Sequence, residues 1–407
     1  MQPTTARGLP VLDLDPYAEA TLADPEPFHE ALREVGPLAW LPAYGVYATG
    51  RYDQVRAGLS NWADLVSGAG VGILDLRHDE SFRTPSLIIE ADPPAHTPRR
   101  ALMDSLLSAR AVRHLRATFA GAADQLVTEL LGRRGRGGAD SIDGVADIAE
   151  VFPLTVFPDA IGLSPAVRPH LLTYGDLVFN SGGPPNALFT RALSRAEPAI
   201  AAITAQTRRD QLSEGGIGAR IWDAVDDGSL PADEAPLLIR SLLTAGVDTT
   251  VAAIAATLYR LATNPDQWSR LRQDPRLARF AFEEAIRLDS PVQTFFRTAR
   301  RDTDLAGATV RADHKVLLSL GAANGDPRRF PDPRRYDITR NMSGHVGFGM
   351  GIHQCVGQHF GRLEGEALIT AIASRVERIE LAGTPERRLN NTLRTWGRLP
   401  LRLTPRS

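Results

Sequence analysis

The sequence predicts a mainly α-helical protein with a minor β component, folded as one domain over residues 1–407. Three observations carry this. Long segments with apolar residues at helical spacing dominate from about residue 105, short strand-like segments lie near the start and after Pro291, and a long Pro/Gly-rich coil precedes one last helix. In chain order, PLAWLP (37–42) and VYATG (46–50) read as strands. Helical periodicity then fills 105–134 and ends at the loop GRGGADS (135–141). Further helices fit 153–163, 188–212, 234–263 and 276–288, with Asn-Pro and Asp-Pro as punctuation and NSGGPPN (180–186) as a loop. The 234–263 segment reads as one unusually long helix. Strands are expected in 292–301, 308–312 and 315–320, a coil over 325–351, and a helix over 356–376.

With 407 residues, 43% hydrophobic and 23% charged, the chain can bury a sizeable core. Forty-six basic against 48 acidic residues give a net charge of -2, so no overall field favours nucleic acid or a membrane surface. No stretch approaches roughly 18 uncharged apolar residues, and MQPTTARGLPVLDLDPY lacks a basic-then-apolar leader, which leads us to expect a soluble cytoplasmic protein. Lys315 is the only lysine among the cations. The single cysteine, Cys355, excludes an internal disulfide and leaves an inert thiol, a nucleophile or a metal ligand.

Cys355 sits in a Gly-rich coil, Phe348-Gly349-Met350-Gly351-Ile352-His353-Gln354-Cys355-Val356-Gly357, just before an apolar-periodic helix. Backbone N–H groups there favour a thiolate, glycines let backbone approach a flat ligand, and Phe348 can shield the sulfur. GFGMGI lacks the third glycine of a dinucleotide fingerprint, and no His or Asp pair adjoins the cysteine to make it a nucleophile. The run F-G-x-G-x-H-x-C-x-G resembles the haem-binding signature of cytochromes P450. Two more motifs resemble that family in the right order: Ala245-Gly246-Val247-Asp248-Thr249, like the oxygen-activating segment of the long I helix, and Glu284-Ala-Ile-Arg287, like a buried structural ion pair.

The resemblance implies a cytochrome P450 fold in which haem b lies between the I helix and the cysteine loop. Cys355 is then the iron ligand, with Phe348, Gly349 and Gly357 lining the haem. His96, Arg100, Arg297 and His353 become the propionate partners. Gly246 opens the helix for dioxygen, and Asp248 and Thr249 deliver protons while the thiolate pushes electron density toward the O–O bond.

Ser241, Thr244 and Asp248 stand at i, i+3 and i+7, which on an unbroken helix places them on one face, with about 10 Å between the first and the last. Arg240, Arg83 and Ser86 can complete a carboxylate cluster beside them. Strings such as PSLIIEADPPAHT, LVFNSGGPPN and YDITRNMSGHVGFG resemble the bacterial subfamily that oxidises para-substituted benzoates, typically demethylating 4-methoxybenzoate. By that resemblance Arg83, Ser86, Ser241 and Thr244 hold the carboxylate, and Ile89, Val178, Phe179, Val247 and Phe295 touch the ring. Thr244 replaces a more usual serine, and Gly182 stands where an aromatic roof is expected, which implies an enlarged pocket for the para group.

Alternatives from the sequence are a monooxygenase of the same family acting on a terpene, fatty acid or other aromatic, a peroxide-driven enzyme, and a non-catalytic haem sensor. The one cysteine leaves none for an iron–sulfur centre, so electrons must come from other proteins. The resemblance implies a [2Fe–2S] ferredoxin fed by an NADH-dependent ferredoxin reductase, docking near Arg99, Arg110 and Arg113.

Overall fold

The computed structural model describes residues 8–133, 141–305 and 307–406; the first seven residues and all of the GRGGADS loop but Ser141 lie outside these. Helices that matter for the site are α1 (His96–Leu107), α2 (Arg116–Arg133), α3 (Val151–Ile161), α4 (Arg168–Asn180), α5 (Ala235–Ala245), α6 (Asp248–Thr263), α7 (Ala278–Asp289) and α8 (Gln358–Arg375). The expected 105–134 helix is interrupted at Ser108–Arg110, and α4 belongs to a stretch the sequence reading left unassigned.

At the centre lies α6, whose Val251, Ala252, Ala253, Ile254, Ala255 and Ala256 are all buried. Small side chains let neighbours come close, and α7 and α8 pack directly against it. Ala235–Thr263 is long and apolar enough to cross a membrane, yet 61% of its most apolar window is buried inside the protein, as a core helix requires. Contrary to the single helix expected over 234–263, α5 ends at Ala245 and α6 begins at Asp248.

A five-stranded sheet flanks the helices: β1 (Ala39–Leu41), β2 (Val46–Thr49), β3 (Leu65–Val66), β4 (Thr294–Ala299) and β5 (Lys315–Ser319), in the order β1-β2-β5-β4-β3. Only β2 and β5 run parallel, with Tyr47 opposite Val316. Along β4 side chains alternate, so buried Phe296 packs into one apolar cluster while Phe295 and Arg297 share the other face. A C-terminal hairpin, β6 (Glu386–Arg388) with β7 (Thr395–Arg398), was not anticipated from the sequence.

The Glu284–Arg287 pair on α7 has both side chains fully buried. Arg287 donates to both Glu284 carboxylate oxygens at 2.7 and 2.8 Å, and to the carbonyls of Asn324 and Pro333. Arg340 Nε and the Asp337 N–H also reach Glu284. One ion pair thereby fixes the coil over 325–351 that leads to Cys355. Removing one partner strands a buried charge, so Arg287→Ala is expected to cost about 3–5 kcal/mol in urea unfolding. A loss within the range of a surface pair would show that the coil is held by other contacts.

Candidate active site

Cys355 is accessible to solvent although the chain surrounds its sulfur. Burial raises its thiol pKa, and a hydrogen bond from the Gly357 N–H opposes that rise. The loop turns through left-handed backbone at Gly349 (φ 68°) and Gly351 (φ 71°), and a side chain at 351 would meet the Leu59 carbonyl at 2.9 Å. Phe348 is braced by the Arg362 guanidinium, 4.3 Å from its ring centre, and Arg362 pairs with Glu283.

Four expected anchoring residues are brought together. Arg297 is 2% exposed, donates only to the Phe296 carbonyl, and makes no ion pair among the described residues. Desolvation lowers its pKa to about 10. The His96 and His353 rings lie 4.7 Å apart; His96 Nε2 is buried and unpartnered, and the buried His353 ring makes at most a weak approach to the Ile88 backbone. Desolvation first, then neighbouring cations, lowers the His353 pKa to about 3. Buried ring nitrogens with little or no hydrogen bonding, and a buried cation that feels Asp92 without pairing with it, fit an anionic group such as a pair of haem propionates. Arg100 differs: it donates to the carbonyls of Ile352 (2.9 Å) and Gln354 (2.6 Å) and pairs with Asp104, which ties it to the cysteine loop itself.

Of the residues expected to hold a carboxylate, Arg83, Ser86, Arg240 and Ser241 come together, while the hydrogen bond of the Thr244 hydroxyl stays within its own helix. Ser86 Oγ and Ser241 Oγ are 3.1 Å apart, and Arg240 donates to the Thr84 carbonyl at 2.6 Å. Ser241 and Thr244 donate back to the carbonyls of Leu237 and Arg240, the usual local bond of a hydroxyl within a helix. Arg83 is not free. Its two terminal nitrogens hold Glu90 at 2.8 and 3.0 Å, and Glu90 also accepts from the Ser86 N–H at 2.7 Å. Glu90 was missed in the sequence, where its only signal is a carboxylate inside the apolar run LIIEA.

Ile89, Val178, Phe179 and Phe295 are half-buried. Two expectations need correction. Val247 is 0% exposed in the main apolar core and offers a ring no surface. Gly182 does not enlarge the pocket: a Cβ there would lie 2.5 Å from Thr392 Oγ1, and the space beside Gly182 is taken by Gly72. The Ile73 N–H donates to the Gly182 carbonyl at 3.0 Å, so glycine lets three segments close together.

At Gly246–Val247 the break between α5 and α6 ends the straight face on which Ser241, Thr244 and Asp248 were expected to align. A Cβ at Gly246 would lie 2.2 Å from the Phe157 ring, so this glycine permits close packing at the break. Thr249 Oγ1 donates to the Ala245 carbonyl at 2.8 Å and Thr250 Oγ1 to that of Gly246 at 3.4 Å. Asp248, 1% exposed, turns toward Arg388 at 3.4 Å, and a Cβ at Gly175 would overlap its carboxylate.

Desolvation raises the Asp248 pKa to about 7, helped by Asp176 and Glu150 and opposed by Arg388. A carboxyl with a raised folded-state pKa costs nothing below its unfolded value. The cost grows as pH climbs toward 7 and is constant above. Three units correspond to about 4 kcal/mol. The stability of Asp248→Asn relative to the unsubstituted protein is therefore expected to improve from about pH 4 to about pH 8 in urea titrations. A pH-independent difference would mean that Asp248 titrates normally.

A sequence profile described as Cytochrome P450 matches residues 206–393. Cytochrome p450 CYP199A2 of Rhodopseudomonas palustris is 52% identical over 398 residues, covering 98% of this chain and 95% of that protein. Beta-dihydromenaquinone-9 omega-hydroxylase of Mycobacterium tuberculosis is 31% identical, covering 97% of this chain and 79% of its own length. Among solved structures, CYP108D1 of Novosphingobium aromaticivorans superposes with a TM-score of 0.82 at 26% identity, over 95% of this chain and 96% of that one. With its cysteine loop, broken central helix and buried Glu-Arg pair in that setting, the chain belongs to the cytochrome P450 family of haem-thiolate monooxygenases.

Proposed function

We propose that this monooxygenase oxidises the para substituent of benzoic acids, with 4-methoxybenzoate giving 4-hydroxybenzoate and formaldehyde. One oxygen atom of O2 enters a methyl C–H bond, and the resulting hemiacetal collapses. The other oxygen leaves as water, with two electrons and two protons. The observation that carries this reading is the linkage of Arg83, Arg240, Ser86 and Ser241 through shared contacts at Thr84, Glu90 and the Ser86–Ser241 pair, two guanidiniums beside the carboxylate of Glu90. Such a cluster favours an anionic head group and holds it in fixed orientation.

Haem, ligated by the Cys355 thiolate, supplies the oxygen-activating chemistry. His96, Arg297 and His353 take its propionates, while Arg100 holds the cysteine loop in place. Near neutral pH a carboxyl with a pKa of about 7 can both hold and release a proton, which suits Asp248 to the proton-delivering role beside Thr249 once its carboxyl turns from Arg388 toward the helix break. Ile89, Val178, Phe179 and Phe295 contact the ring.

Electrons come from a [2Fe–2S] ferredoxin and its NADH-dependent reductase in the cytoplasm. Arg110 and Arg113 are exposed and suit that docking face, whereas Arg99 is already paired with Glu234. The whole chain acts as one domain. Arg83 gives the direct test: 4-methoxybenzoate should shift the Soret band of the ferric protein to high spin, its amide should not, and Arg83→Ala should weaken the acid about 10- to 100-fold. Equal shifts with acid and amide would move the substrate to the terpene, fatty acid or neutral aromatic class.

A further inference from the structure

Arg83 enters the clamp with a resident counter-ion. Glu90 grips its two terminal nitrogens end on, the Thr84 carbonyl takes a further bond from one of them at 3.2 Å, and Arg83 Nε has no partner. Glu90 is itself locked. Its side chain is 6% exposed, it accepts from the Ser86 N–H, and its own N–H donates to the Ser86 carbonyl at 3.2 Å. Arg240, from α5, shares Thr84 with Arg83, and its pKa is lowered by burial. The clamp therefore holds two cations, Arg83 and Arg240, and one anion in a half-buried space, with Lys315 also within electrostatic reach of Glu90 and the Ser86 and Ser241 hydroxyls at the edge.

A second carboxylate arriving at Arg83 must share the guanidinium with Glu90 or displace it, and in either case it approaches a fixed negative charge in a medium of low effective dielectric. We propose that Glu90 is a specificity-determining residue that lowers the affinity of the clamp for carboxylates, leaving it one net positive charge. This inference rests on the benzoate reading above. A singly charged acid gains enough from Arg83, Arg240 and the two hydroxyls to bind. Release of the acid product is also faster than a clamp of two unpaired cations would allow, because Glu90 retakes Arg83.

Calorimetry on the haem-loaded protein tests this with 4-methoxybenzoate and 4-methoxybenzamide. Glu90→Gln keeps an acceptor for the Ser86 N–H and for Arg83 but removes the charge. It is expected to bind the acid about tenfold more tightly and the amide unchanged. Arg83→Gln and the double variant Arg83→Gln/Glu90→Gln provide a second comparison, in which the double variant binds the acid more tightly than the single one, since no unpaired carboxylate then faces it. If the unsubstituted protein prefers the acid but removing the Glu90 charge leaves acid binding equal or weaker in both comparisons, the Glu90 proposal falls and the benzoate reading stands. If acid preference emerges only when the Glu90 charge is removed, the counter-ion stands and the benzoate reading falls. No acid preference in any variant overturns both.

Discussion

Arg297 sits fully buried on β4 with a single hydrogen bond to its own chain and no carboxylate in contact among the described residues. Taking a guanidinium out of water costs several kcal/mol unless an anion repays it. The adjoining His96 and His353 add buried ring nitrogens with little hydrogen bonding among the described residues. Three segments far apart in sequence thus converge on one electrostatic deficit, and the rest of the architecture keeps them there. The Glu284–Arg287 pair fixes the coil, Arg100 fixes the cysteine loop against α1, and the alternation of β4 turns Arg297 to the same face as Phe295. The family binds haem through a cysteine thiolate, and the two propionates of haem are the anions we propose for this deficit.

The same principle of unbalanced buried charge recurs elsewhere in the site, with different consequences. At Asp248 the excess is negative: a carboxyl enclosed by α4 and the C-terminal hairpin, with only Arg388 at 3.4 Å, keeps its proton to near neutrality. At the Arg83 cluster the excess is positive but partly cancelled by Glu90. In the function proposed above, anion binding and proton transfer fall on either side of the break at Gly246–Val247, where α5 carries Ser241 and α6 carries Thr249.

How much of this was legible in the sequence follows the range of each interaction. The cysteine loop, the Glu284–Arg287 spacing and the I-helix segment are local strings; the ion pair forms buried as expected, while the I-helix segment is broken at Gly246–Val247. Helices and strands with clean periodicity were found, while α4 and the C-terminal hairpin went unassigned. Pairwise contacts across the fold were illegible. Arg83 and Glu90 are seven residues apart with no helical register between them, and the filling of the Gly182 space depends on Thr392, more than two hundred residues away. The break after Ala245 lies within a stretch of unbroken helical periodicity, and the Phe157 ring that packs against Gly246 there comes from another element, which local spacing does not show.

Arg297 offers the most direct test, through urea unfolding of haem-free and haem-loaded protein with and without Arg297→Leu. An unpaired buried cation replaced by a leucine should leave the haem-free protein as stable or more stable, by about 1–4 kcal/mol, while the stabilisation gained on loading haem shrinks. A haem-free variant that is clearly weakened, with an unchanged gain on haem binding, would contradict the view that this fold is organised around a buried charge awaiting its anion.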